Sequence, residues 1–89
     1  MYAILVKEPG AENETYVLST GASTPKAAVQ LMFSRAEEFI SEKLELEVEG
    51  AEDYTIEAHD QLNCVVYNSA CEDHSIVLML EATAITEVL

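Results

Sequence analysis

The pair Thr24-Pro25 constrains this chain more than any other feature, because it opens the one stretch with sustained helical periodicity. Threonine is a favoured N-cap, and proline at the first helical position gives up only an N–H that a helix start leaves unpaired anyway. From there Val29, Met32, Phe33, Ala36, Ile40 and Leu44 recur at intervals of three and four and so share one face. Lys26, Gln30, Ser34, Glu37, Ser41 and Glu42 fall on the other. The spacing predicts one amphipathic helix over 25–43, with a core-packing role for Met32 and Phe33.

Everything else in the 89 residues has the look of strands and turns. Residues 1–7 (Met1-Tyr2-Ala3-Ile4-Leu5-Val6-Lys7) are apolar on both faces, which predicts an interior strand. A turn over 8–13, built on Pro9-Gly10, leads to a returning strand over 15–20, and Gly21-Ala22-Ser23 breaks the pattern. Beyond the helix, Leu44-Glu45-Leu46-Glu47-Val48-Glu49 alternates strictly, then meets Gly50. Two structures satisfy that run. The helix can continue to Gly50 as a glycine cap, since Ile40, Leu44 and Val48 are spaced by four; or a strand can begin at Leu44, which places Leu46 better. The strand is the expectation adopted, with Gly50-Ala51-Glu52-Asp53 as a hairpin connection. Further strands follow over 54–59, 64–68 and 75–83. The resulting order, β-β-α-β-β-β-β, defines an α+β fold in a single domain, 1–89: a mostly antiparallel sheet with one amphipathic helix packed on one face. A lone helix leaves the second sheet face bare. Since the strands at 1–7 and 75–82 are apolar on both sides, that face is expected to be covered by loops, by a second copy of the chain in a homodimer, or by a partner.

Charge divides the chain in two. The formal net charge is −13, and the four basic side chains are Lys7, Lys26, Arg35 and Lys43, so nothing after Lys43 carries a fixed positive charge. Eleven of the seventeen carboxylates lie beyond it. Binding to nucleic acid depends mainly on Lys and Arg neutralising phosphates, so direct nucleic-acid binding is excluded, and anionic membranes would repel the chain. A basic protein surface would attract it, most strongly at low salt. With no run of about 18 apolar residues, no basic leader segment and two cysteines, the expectation is a soluble cytoplasmic protein with reduced thiols.

The candidate chemistry is thin. His59, Cys64, Cys71 and His74 offer four N/S donors, but only Cys71-Glu72-Asp73-His74 is closely spaced, unlike the paired spacings of zinc sites. Cys71 beside Glu72 and Asp73 is a poor nucleophile, because neighbouring anions disfavour the thiolate. Calcium-loop and phosphate-cradling signatures are missing from the sequence. The chain is therefore expected not to be an enzyme and to need no cofactor or metal. What remains is the carboxylates. On a strand, Glu45, Glu47 and Glu49 would point one way, about 6.8 Å apart, on the scale of a nucleic-acid backbone with one phosphate per ~3.4 Å per strand. Glu52, Asp53, Glu57 and Asp60 would extend the row across a neighbouring strand. Unrelieved like charges cost stability.

In this plan (a chain under a hundred residues, strongly acidic, with an N-terminal hairpin, the Thr24-Pro25 helix and then more strands) the protein resembles small phage-encoded inhibitors of the anti-CRISPR type. The resemblance lies in size, charge and organisation and carries no specific motif. It implies a stoichiometric inhibitor, working in the cytoplasm of an infected bacterial host, that occupies the DNA-binding channel of a CRISPR-Cas effector complex by DNA mimicry. Glu45, Glu47, Glu49, Glu52, Asp53, Glu57 and Asp60 are the residues expected to meet the partner's Lys and Arg. An antitoxin or immunity-type inhibitor of a basic nuclease has the same electrostatics. A phage structural or assembly protein would use the bare sheet face instead.

Overall fold

The structure, a computed structural model, describes residues 1–9, 15–60, 62–73 and 75–85, with backbone alone for residues 59 and 60. It is an α+β fold. Strands β1 (Tyr2–Lys7) and β2 (Thr15–Ala22) precede helix α1 (Pro25–Glu45); a 3-10 turn (Ala51–Asp53) then leads into β3 (Tyr54–Asp60), β4 (Asn63–Asn68) and β5 (Ile76–Ala84). The five strands form one antiparallel sheet in the order β2-β1-β5-β4-β3. The interior position expected for the first strand is observed, with β1 between β2 and β5. Part of the expected turn over 8–13 lies outside the described residues, as does His74.

The helix starts as its sequence dictates. Thr24 is extended at φ −134°, ψ 156°, and its Oγ1 accepts from the Ala27 N–H at 3.1 Å. The buried stripe, however, is Ala28, Met32, Ala36 and Phe39, rotated from the expected one. Two of its four members, Ala28 and Ala36, are small. Leu44 is exposed, and Phe39 takes the buried place, its ring 6.2 Å from that of Tyr54 and nearly parallel to it. On the other side of the contact, Ile4, Val6, Cys64, Val66, Leu78, Leu80 and Ala82 complete the core. Register shifts adjust the alternation. One lies between Val66 and Tyr67 on the β4–β5 ladder, where Val66 opposes Leu78 but Tyr67 opposes Ile76. The intervening Val77 packs against the core. Two further shifts on the β1–β2 ladder carry β2 on to Ala22, past the expected break at Gly21.

The strand expected over 44–49 does not form, so the sheet has five strands rather than six. Instead the helix ends in a Schellman motif. The Val48 N–H donates to the Lys43 carbonyl at 3.0 Å and the Glu47 N–H to the Leu44 carbonyl at 3.1 Å. These are the 6→1 and 5→2 bonds of that motif. Leu46 is the C-cap, and Glu47 takes the left-handed position at φ 54°. The cause lies outside the segment. The Phe39–Tyr54 stack and Lys43, whose Nζ sits 5.1 Å over the Phe39 ring and 3.6 Å from a Glu8 carboxylate oxygen, hold the last helical turns against the sheet. The alternation buys nothing in return, because Leu46 is 72% exposed. Gly50 then turns the chain at φ 85°, so the link into β3 is a 3-10 turn rather than a hairpin.

One sheet face is covered by α1. The other carries Leu5, Lys7, Val17, Glu57, Val65, Met79 and Glu81, the alternates of the core positions, and no element of the described residues covers it.

Candidate partner-binding surface

The seven expected carboxylates divide into two groups. Glu45 closes the helix, Glu47 is the left-handed residue of its stop, Glu49 precedes the Gly50 turn, and Glu52 and Asp53 sit on the 3-10 turn. These five wrap one end of the molecule. Glu57 is not with them. It lies four residues along β3, about 13 Å at the rise of a strand, opposite Val65 on the face that the helix leaves bare. Asp60, at the far end of β3, is carried about 23 Å from Asp53 by the same rise. The regular row of Glu45, Glu47 and Glu49 is not formed, since a helix end and a left-handed turn send successive side chains in different directions. The acidic feature is a cap around the helix C-terminus.

That cap is larger than the sequence suggested. Glu38, Glu42 and Glu45 follow one another at four and three residues along the outer surface of α1, with Glu37 exposed beside them. Helical spacing already carried that signal. The β4–β5 loop adds Glu72 and Asp73, which no local pattern announces. Ser69 fastens this loop to the 3-10 turn, its N–H and its Oγ each donating to the Asp53 carbonyl at 2.9 Å. Asp73 is itself held by the Ser75 hydroxyl at 2.9 Å. The acidic half of the sequence thereby converges on the end of the fold that contains the helix C-terminus.

The cations near this end are already engaged. Lys43 is taken up by Glu8 and the Phe39 ring. Arg35 donates from Nε to the Tyr16 hydroxyl at 2.7 Å, and its Nη1 lies 3.7 Å from both Glu38 and Glu42. Lys26 stands at the opposite end of α1, and Lys7 on the bare sheet face. Among the described residues, Glu45, Glu47, Glu49 and Glu52 join no ion pair. A helix C-terminus carries about half a negative charge of its own, so the acids there add to a field of the same sign.

Of the two thiols, only that of Cys71 lies beside this surface. Cys64 is buried in the core, and burial pushes its thiol up from the ordinary value. Cys71 is half-buried in the β4–β5 loop, and neither forms a disulfide. Among the described residues no three His, Cys, Asp or Glu side chains gather as metal ligands; the side chain of His59 and the whole of His74 lie outside that description. Among them too, no helix is long and apolar enough to cross a membrane. No family model, curated protein or solved structure matches the chain.

Proposed function

We propose that the protein is a stoichiometric protein inhibitor that presents its acidic end to the DNA-binding surface of a basic, nucleic-acid-binding protein, in the manner of the anti-CRISPR proteins it resembles. The observation that carries this reading is the distribution of charge. Carboxylates from α1, its stop, the 3-10 turn and the β4–β5 loop meet at one end, and the two cations of the helix on that side, Arg35 and Lys43, are used internally. Such a surface attracts arginine- and lysine-lined channels and repels nucleic acid. The mimicry operates through a rounded acidic cap rather than a row at strand spacing.

Backbone strain supports the same reading. Glu47 is the one non-glycine residue with positive φ among those described. Glycine is the residue of choice at that position of a Schellman motif. A glutamate there loses stability both to the left-handed backbone and to the field of the helix terminus, and strain of this sort concentrates where side chains serve binding.

The test is a pull-down from bacterial lysate with stepped-salt elution, followed by competition with target DNA. Release of a nucleic-acid-binding complex at moderate salt, and its displacement by DNA, is expected. The double reversal Glu47→Lys, Glu49→Lys should abolish capture, whereas Glu57→Lys on the sheet face should leave it nearly intact. Equal losses from both, or capture indifferent to salt, would overturn the proposal.

A further inference from the structure

The bare sheet face is a self-complementary surface, and we infer that two copies of the chain pair through it as a two-fold dimer. Its centre is a groove of about 360 Å³ floored by Leu5, Val65, Ile76 and Met79, with Lys7 and Glu81 among its walls. Met79 and Ile76 are each about 40% exposed there. Neither Lys7 nor Glu81 joins an ion pair among the described residues.

The register fixes how such a face can meet itself. Lys7 pairs with Met79 and Leu5 with Glu81 across β1 and β5, so the four form a block with Lys7 and Glu81 on one diagonal and Leu5 and Met79 on the other. A two-fold axis lying in the interface along the Leu5–Met79 diagonal sets Leu5 against Leu5 and Met79 against Met79 of the two copies. The same operation carries Lys7 of each copy to within about 3 Å, in plan, of Glu81 of its mate, inside the reach of the two side chains. Apolar then faces apolar and cation faces anion, twice, from one symmetry operation. With strands about 4.8 Å apart and alternate residues about 6.8 Å apart, that axis crosses the two sheets at roughly 70°, toward the orthogonal class of sheet packing.

Five strands of about six residues give a face of roughly 24 by 20 Å, or about 480 Å² per copy in plan, the size of a small, weak interface rather than of a standard one. The carboxylates along α1 do not oppose the pairing directly, because they lie on the other side of the sheet, and Glu57 and Glu81 are the acids placed on the pairing face. Repulsion between the two net charges is screened beyond about 10 Å at 0.1 M salt.

The experiment is sedimentation equilibrium or native mass spectrometry on the full chain and three charge variants. The wild type should be dimeric. Lys7→Glu places Glu against Glu81 and Glu81→Lys places Lys against Lys7, so each alone should weaken dimerisation at least about tenfold. Mixing the two variants should restore a heterodimer, since both contacts then join opposite charges. Lys26→Glu, with the same charge change at the far end of α1, should remain dimeric. A monomeric wild type, a dimer indifferent to Lys7→Glu and Glu81→Lys, or a mixture that stays monomeric would overturn the inference. So would dissociation of Lys26→Glu to the same extent. Glu47→Lys, Glu49→Lys should dimerise normally, so loss of partner capture and loss of dimerisation are separable.

Discussion

Replacing Glu47 by glycine should stabilise the protein, and the size of the effect follows from the backbone. At φ 54° Glu47 sits where a side chain costs about 1–2 kcal/mol relative to glycine. Glycine returns part of that gain by enlarging the unfolded ensemble, about 0.5–1 kcal/mol. Removing a negative charge from the C-terminus of α1 adds a few tenths of a kcal/mol at an exposed site. The net is about 1 kcal/mol in favour of glycine, or about 4–8 °C in Tm for a domain of this size. Glu47→Gln isolates the charge contribution, because it keeps the strained backbone, and should gain only about 0.3 kcal/mol. Urea denaturation followed by circular dichroism measures both against wild type. The sign is decisive: were 44–49 a strand, glycine would weaken it by about 0.5–1 kcal/mol. A Glu47→Gly protein no more stable than Glu47→Gln would refute the helix stop described here.

Two further perturbations probe the same architecture. Gly50→Ala should destabilise by about 1–2 kcal/mol, because φ is 85° and a Cβ would lie 2.9 Å from the Asn68 side-chain nitrogen; a neutral result in thermal melts would contradict that close approach. Burial raises the Cys64 thiol above its ordinary 9.0, so the unfolded chain gives up that proton first. Stability contributed by the protonated thiol is therefore complete below pH 9.0 and declines as pH climbs from there toward the folded value. Cys64→Ala should flatten that alkaline decline in denaturation curves, and an unchanged slope would deny it.

What could be read from the sequence was local. The Thr24 cap needs three residues to declare itself, and the two-sided apolarity of residues 1–7 placed β1 inside the sheet before any partner strand was known. The helix face was harder. Phe33, Phe39, Ile40 and Leu44 make an apolar arc wider than one stripe, and the choice of Phe39 over Leu44 rests on Tyr54, fifteen positions further along. Leu44 to Glu49 satisfied both periods, and the contacts that hold the end of the helix, Phe39 on Tyr54 and Lys43 on Glu8 and the Phe39 ring, reach across the fold. For the acidic surface, charge composition identified the residue type and most of the segment. It could not gather Glu72 and Asp73 to Asp53, because that approach depends on hydrogen bonds from Ser69, sixteen residues away. Nor could it separate Glu57, since a strand period says which residues share a face and not which face a helix will occupy.

The acidic end sets stability against binding, and the two should move in opposite directions there. Two unit charges 10 Å apart in water repel by about 0.4 kcal/mol, and screening at 0.1 M salt reduces this to roughly a third. Each added carboxylate in the cap meets several others at that range, so the cost mounts to about half a kcal/mol per residue before the helix terminus is counted. A lysine at any of these positions converts the repulsions to attractions. The Glu47→Lys, Glu49→Lys protein should therefore melt higher than wild type even as it loses its partner. A surface group kept merely for solubility would show no such opposition, since interspersed charges of both signs serve that end without the repulsion. Gain of stability together with loss of capture in one variant marks the carboxylates as held in place by binding, and loss of both would mean that they hold the fold together instead.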